Sequence, residues 1–196
     1  MNQINLFARV LIGVLLGSSA GARQFDQRYN YGQRYVQHEQ LEIYSACQKV
    51  FSFSSDKDEC TNTAPSLAQI QICNQAFQWS SGKLACLKLN ASHSLILACG
   101  KKFTFESDVL RCINTARGAR QVDVCDEAFV FSSDKEKCLS LRARPQTVKA
   151  CASKFSFSSE KFECIELNPT AQQVNFCAAQ HSFDSDKMKC LKTILN

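Results

Sequence analysis

The residues of this chain whose type and spacing could do chemistry are its twelve cysteines, because thiols bind metal, exchange electrons, attack carbonyls or oxidise to disulfides. They are Cys47, Cys60, Cys73, Cys86, Cys99, Cys112, Cys125, Cys138, Cys151, Cys164, Cys177 and Cys190, and every interval is 13 residues. Structural zinc sites draw on cysteines about two to four residues apart, and none here is closer than 13. The same spacing excludes Cys-x-x-Cys redox chemistry and haem attachment. Disulfides are the reading that is left.

Other motifs dissolve on inspection. Gly17-Ser18-Ser19-Ala20-Gly21 matches the nucleophile elbow of hydrolases, but that elbow needs a strand before it and a helix after it, and this one lies in an N-terminal export signal. Ser-x-x-Lys, the signature of penicillin-binding enzymes, begins at Ser54, Ser80, Ser132 and Ser158, with no Ser-Asp-Asn or Lys-Thr-Gly to complete it. A motif recurring in this way is read as a helix cap. Asp56 with Asp58 and Asp184 with Asp186 lack the twelve-residue loop of a calcium site. His38, His93 and His181 are too scattered to assemble an acid, a base and a nucleophile. The sequence calls for no metal and no cofactor, and enzyme activity is the less favoured reading.

The elements that must position the cysteines follow from export and repetition. A segment charged only at Arg9, the apolar run 10–16 and the small residues Ala20-Gly21-Ala22 have the plan of a cleavable signal peptide over 1–22. That places the mature chain in the periplasm or outside the cell, where disulfides form, and leaves no membrane-spanning segment after cleavage. Residues 23–40 read as a poorly ordered Gln/Tyr/Arg leader, and 41–196 as the cysteine array. The formal charge of +5, from 23 basic and 18 acidic side chains, is too mild and dispersed for a nucleic-acid binder.

Around the cysteines the sequence repeats every 26 residues, in units that begin at Cys47, Cys73, Cys99, Cys125, Cys151 and Cys177. Counting each leading Cys as position 1, position 5 is Phe in every unit until His181, position 7 is Phe or Trp79 throughout, position 9 is always Ser, and position 14 is the second Cys. Val148, Cys151 and Phe155 follow helical spacing, which predicts a helix A ending near the first Phe. Pro65, Pro145 and Pro169 are expected in first helical turns. The Phe-x-Phe-Ser-Ser stretch then reverses the chain, with a Ser at position 8 or 9 as N-cap of a helix B that carries the second Cys. The predicted fold is an all-α solenoid of six helical hairpins, each stapled by a disulfide.

Positions 1 and 14 lie equally far from the turn, so they oppose each other on antiparallel helices. Pairing within units uses all twelve cysteines, whereas pairing between units strands Cys47 and Cys190. Both aromatic columns are assigned to the core, although exposed columns would make a carbohydrate-stacking ladder. Arg111, Arg117, Arg120, Arg142, Arg144 and Lys149 suggest a basic surface on units three and four suited to an anionic partner. The expectation is an exported binding or scaffolding module for a protein or for an anionic glycan or envelope component. The alternatives are a secreted enzyme or effector acting on cell-wall or glycan substrates, and a purely structural envelope component.

Overall fold

A computed structural model describes residues 38–195, and helix is the only regular secondary structure among them. The signal segment and leader residues 23–37 lie outside the described residues. The chain divides between Leu41 and Glu42 into two units, and the second holds the repeats. The helices of the described residues are α1 (38–50), which runs across that division, α2 (Ser54–Thr63), α3 (Leu67–Ala76), α4 (Ser80–Leu87), α5 (His93–Lys102), α6 (Glu106–Thr115), α7 (Ala119–Ala128), α8 (Ser132–Ser140), α9 (Pro145–Lys154), α10 (Ser158–Leu167), α11 (Ala171–Gln180) and α12 (Asp184–Leu195). Helix α1 reaches back to 38, three residues into the stretch read as leader, and residues 38–40 are polar and exposed. From α3 onward each odd-numbered helix packs on the next odd-numbered one, and from α2 each even-numbered helix on the next even-numbered one. The result is a two-layer solenoid of helical hairpins, with all A-to-B turns on one edge and all B-to-A loops on the other.

Each hairpin closes on its own cysteines: Cys47–Cys60, Cys73–Cys86, Cys99–Cys112, Cys125–Cys138, Cys151–Cys164 and Cys177–Cys190. The Cα atoms of each pair are 5.7 or 5.8 Å apart, the distance a disulfide takes without backbone adjustment. No cysteine is free. Around the bridges the core is built from Ile or Val three residues before the leading Cys (Ile70, Ile96, Val122, Val148, Val174) and from the residue after the second Cys (Leu87, Ile113, Leu139, Ile165, Leu191). Six disulfides fit an exported protein. Among the described residues no helix is long and apolar enough to cross a membrane.

Helix starts differ from the sequence expectation in two respects. The N-cap of each B helix from α2 to α10 is the aromatic at position 7, in extended conformation and with no side-chain cap, so the residue at position 8, Glu106 in α6 and Ser in the others, is already inside the helix. The acid at position 10 then stands in the first turn of α2, α6, α8 and α10, where the positive helix end favours it. Only Pro145 occupies a first helical turn. Pro65 and Pro169 stand one residue before the N-cap, because the hydroxyls of Ser66 and Thr170 accept from the N–H groups of Gln69 and Gln173 and fix the start behind the proline.

Register between hairpins is set by polar contacts that meet unsatisfied helix ends. The lysine at position 11 donates from Nζ to a carbonyl at the C-terminus of the preceding A helix: Lys135 to Lys102 at 3.5 Å, Lys161 to Ala128 at 3.2 Å and Lys187 to Lys154 at 2.8 Å. The same ammonium groups lie over the buried rings of Phe103, Phe129 and Phe155. Unit three has Val109 at this position, and there Glu106 Oε1 accepts from the backbone N–H groups of Gln78 and Trp79 at 2.5 and 2.7 Å. Gly82 faces that carboxylate. A Cβ on Gly82 would overlap it and come within 2.7 Å of the Phe77 ring.

Two aspartates join these contacts and give the array an acid limit. Asp126 bridges Lys102 and Lys135 at 2.7 and 2.6 Å, and Asp184 accepts from Lys187 Nζ and the Ser156 N–H at 2.9 and 2.7 Å. Burial pushes the Asp126 carboxyl up, but hydrogen bonds from Lys102 and Lys135 outweigh it and hold it below the ordinary aspartate range. Hydrogen bonds from Lys187 and Ser156 do the same for Asp184. A folded-state pKa below the unfolded value of about 3.9 contributes stability that is complete above that pH and is lost as pH falls through the folded value. Thermal melts with disulfides intact are therefore expected to hold a level midpoint down to about pH 5 and to lose it below about pH 4. Asp126→Asn with Asp184→Asn should lower the midpoint at neutral pH and flatten the acid limb. An acid limb of undiminished steepness would contradict this assignment.

Candidate binding face

The two aromatic columns part company. At position 5, Phe51, Phe77, Phe103, Phe129 and Phe155 are at most 6% exposed. At position 7, Phe53, Trp79, Phe105, Phe131, Phe157 and Phe183 are between 65% and 74% exposed. The sequence expectation is thus correct for the first column and overturned for the second.

Local geometry explains the division. Position 5 caps an A helix, its N–H donating to the carbonyl of the leading Cys, as Phe129 does to Cys125 at 3.1 Å, so its ring continues the inward face of that cysteine. Position 7 lies seven residues before the second Cys, a spacing that shares a face only within a continuous helix. At the N-cap it has φ between −98° and −82° and ψ between 134° and 147°, which swings the ring off the buried face. The last unit carries a signal of this in the sequence. At position 5 after α11 Phe gives way to exposed His181, while position 7 keeps Phe183. In the earlier units the next hairpin covers position 5, as Phe162 and Lys161 cover Phe129.

Six rings therefore stand along the turn edge, one per hairpin. Successive B helices pack on one another, and packed helices lie roughly 8–10 Å apart. Each ring is followed by Ser at position 9, exposed in all six units. Positions 6 to 10 contain no Lys, Arg or His in any unit. The lysines at position 11 lie behind the row, as Lys135 and Lys187 do with side chains 13% exposed.

The sequence-proposed basic residues divide differently. Arg117, Arg120, Arg142 and Arg144 are exposed on the loop edge, opposite the aromatic row. Arg142 has a positive φ of 52°, and Arg144 reaches the Asn168 carbonyl at 3.5 Å. Lys149 is exposed on α9. Arg111 lies on α6 with its guanidinium on Asp108 and Glu136, at 2.5 and 3.1 Å, beside an open groove of about 400 Å³ between α6 and α8.

Two of the four lysines of the Ser-x-x-Lys motifs are engaged with the preceding hairpin, Lys135 on Asp126 and Lys161 on the Ala128 carbonyl. The suggested calcium-binding carboxylates of unit six are paired, Asp184 with Lys187 and Asp186 with Lys189. Among the described residues no group of three or more His, Cys, Asp or Glu could hold a metal ion. Comparison of the chain with protein-family models, with curated proteins and with solved structures returns no match.

Proposed function

We propose that the chain is an exported binding module, acting in the periplasm or outside the cell, whose binding face is the aromatic row on the turn edge. What supports this is a single observation: six aromatic side chains, one in every repeat, stay in water although the neighbouring column is buried. Exposed aromatic rings forgo the burial that normally stabilises them, so their recurrence calls for a use outside the fold. Stacked repeats extend such a row over the length of the array, which suits an elongated partner.

The exposure of Arg117, Arg120, Arg142 and Arg144 favours a second reading, in which an anionic partner meets the loop edge. Two variants separate the readings: Phe105→Ser/Phe131→Ser/Phe157→Ser on the row and Arg117→Gln/Arg120→Gln/Arg142→Gln/Arg144→Gln on the loops. Binding of each to chitin, cellulose, a sulfated glycan, and phosphatidylcholine and phosphatidylglycerol vesicles is compared with that of the parent protein. The row variant is expected to keep its thermal midpoint and to lose at least about ten-fold in affinity for a probe that the parent binds, about 1.4 kcal/mol. Loss confined to the arginine variant would move the function to the loop edge. Unchanged binding by the row variant would overturn the proposal.

A further inference from the structure

We infer that the ligand of the aromatic row is a neutral polysaccharide, held with successive sugar faces stacked on successive rings. The inference rests on the reading of the row as the binding face and adds the chemistry of the ligand.

Periodicity is the first argument. The rings are chemically alike, one per hairpin, on packed helices that lie about 8–10 Å apart. Aromatic rings in direct contact have centroids about 4.5–7 Å apart, so rings at the helix spacing do not stack on one another and each offers a free face. Each ring of the row therefore meets its own ligand unit. A partner that presents the same apolar face at regular intervals is a polymer with a chemical repeat. A pyranose offers such a face in its axial C–H groups, and a glycan offers it again every one or two sugars.

The polar surroundings of each ring supply the second argument. Ser55, Ser81, Ser107, Ser133, Ser159 and Ser185 are exposed beside the row, and Ser or Thr also fills position 6 in four units. Hydroxyls donate and accept equally well, which matches the mixed hydrogen bonding of sugar hydroxyls around an apolar face. They also break the row into isolated rings. A docked protein or a membrane would draw on a continuous apolar patch instead, and only unit four, with Val130 exposed beside Phe131, extends the apolar surface at position 6.

Charge selects within the glycans. With no cation at positions 6 to 10 and an acid at position 10 in five units, the edge repels anionic polymers and anionic headgroups. Several of its carboxylates are already committed inside the array: Glu106 to the N–H groups of Gln78 and Trp79, Asp108 to Arg111, and Asp184 to Lys187 and Ser156. A cationic polymer thus finds few free partners, whereas a hydroxyl recurs in every unit; Ser55, Ser107 and Ser159 donate to the adjacent carboxylate and keep their oxygen as an acceptor.

Trp79 is the only tryptophan of the chain and belongs to the row, so its fluorescence reports occupancy directly. The test titrates the intact oxidised protein with neutral oligosaccharides of increasing length, from disaccharide to hexasaccharide, of β-1,4-glucan, β-1,3-glucan, N-acetylglucosamine and mannan types. The expected result is a saturable change in Trp79 emission with one type. Its affinity should rise at least about ten-fold with chain length as neighbouring rings engage, and should be unaffected by about 0.5 M NaCl. Phe53→Ser with Phe105→Ser keeps the probe and should remove the gain with length. If no neutral glycan alters Trp79 emission while phosphatidylcholine vesicles do, the ligand class is wrong and the row stands as the binding face. If neither alters it and the row variant binds every probe as the parent does, both the inference and the reading beneath it fail.

Discussion

Reduction of the six disulfides is expected to abolish the helical array at room temperature. The helices with named bounds run from 8 to 12 residues, at or below the length of about 12–15 at which an isolated helix becomes marginal in water. Besides its cysteines each hairpin buries no more than two aromatic rings and one to four aliphatic side chains. A bridge closing a loop of this size stabilises by about 3 kcal/mol through the entropy of the unfolded chain, so six together exceed the margin by which most domains stay folded. Far-UV circular dichroism should fall to that of a coil when a phosphine reductant is added. Replacing one central pair, Cys125→Ser with Cys138→Ser, should cost about 3 kcal/mol in denaturant unfolding. A reduced chain that keeps its helical spectrum and a cooperative melt would show that packing alone holds the hairpins.

A second large effect separates two phenylalanines only two residues apart. Phe129 is 3% exposed and stacks on Phe162 with ring centroids 4.4 Å apart, while Phe131 is 70% exposed. Phe129→Ala should cost about 3–5 kcal/mol, the usual penalty for emptying a buried aromatic site. Phe131→Ala should change stability by no more than about 0.5 kcal/mol. Guanidinium titrations of the two oxidised variants give the comparison. Equal costs would place both rings in the core and remove the candidate face.

The cysteine interval makes the repeat, its helical hairpins and the pairing within units legible in the amino-acid sequence, because few arrangements place all twelve thiols in equivalent surroundings. Helix A is legible for the same reason: Val148, Cys151 and Phe155 share a face, and the fold buries all three. What the sequence hides is the change of backbone conformation at position 7. Phe131 and Cys138 have helical spacing, but Phe131 stands at the N-cap, where extended dihedrals turn its ring outward. A cap at Ser132 or Ser133 conceals this, since it moves the helix start past the ring. Arg111 shows the same limit at the level of charge. Its type suits a basic patch, and only the tertiary structure places Asp108 and Glu136 against it.

Trp79 lets the exposure of the position-7 column be measured without any ligand. Acrylamide quenching and the emission maximum of the dilute oxidised protein report the environment of this one indole. With Trp79 at 65% exposure, emission at the red end of the tryptophan range and quenching close to that of a free tryptophan amide are expected. A blue-shifted emission shielded from the quencher would put the ring in the core and contradict the division of the two columns.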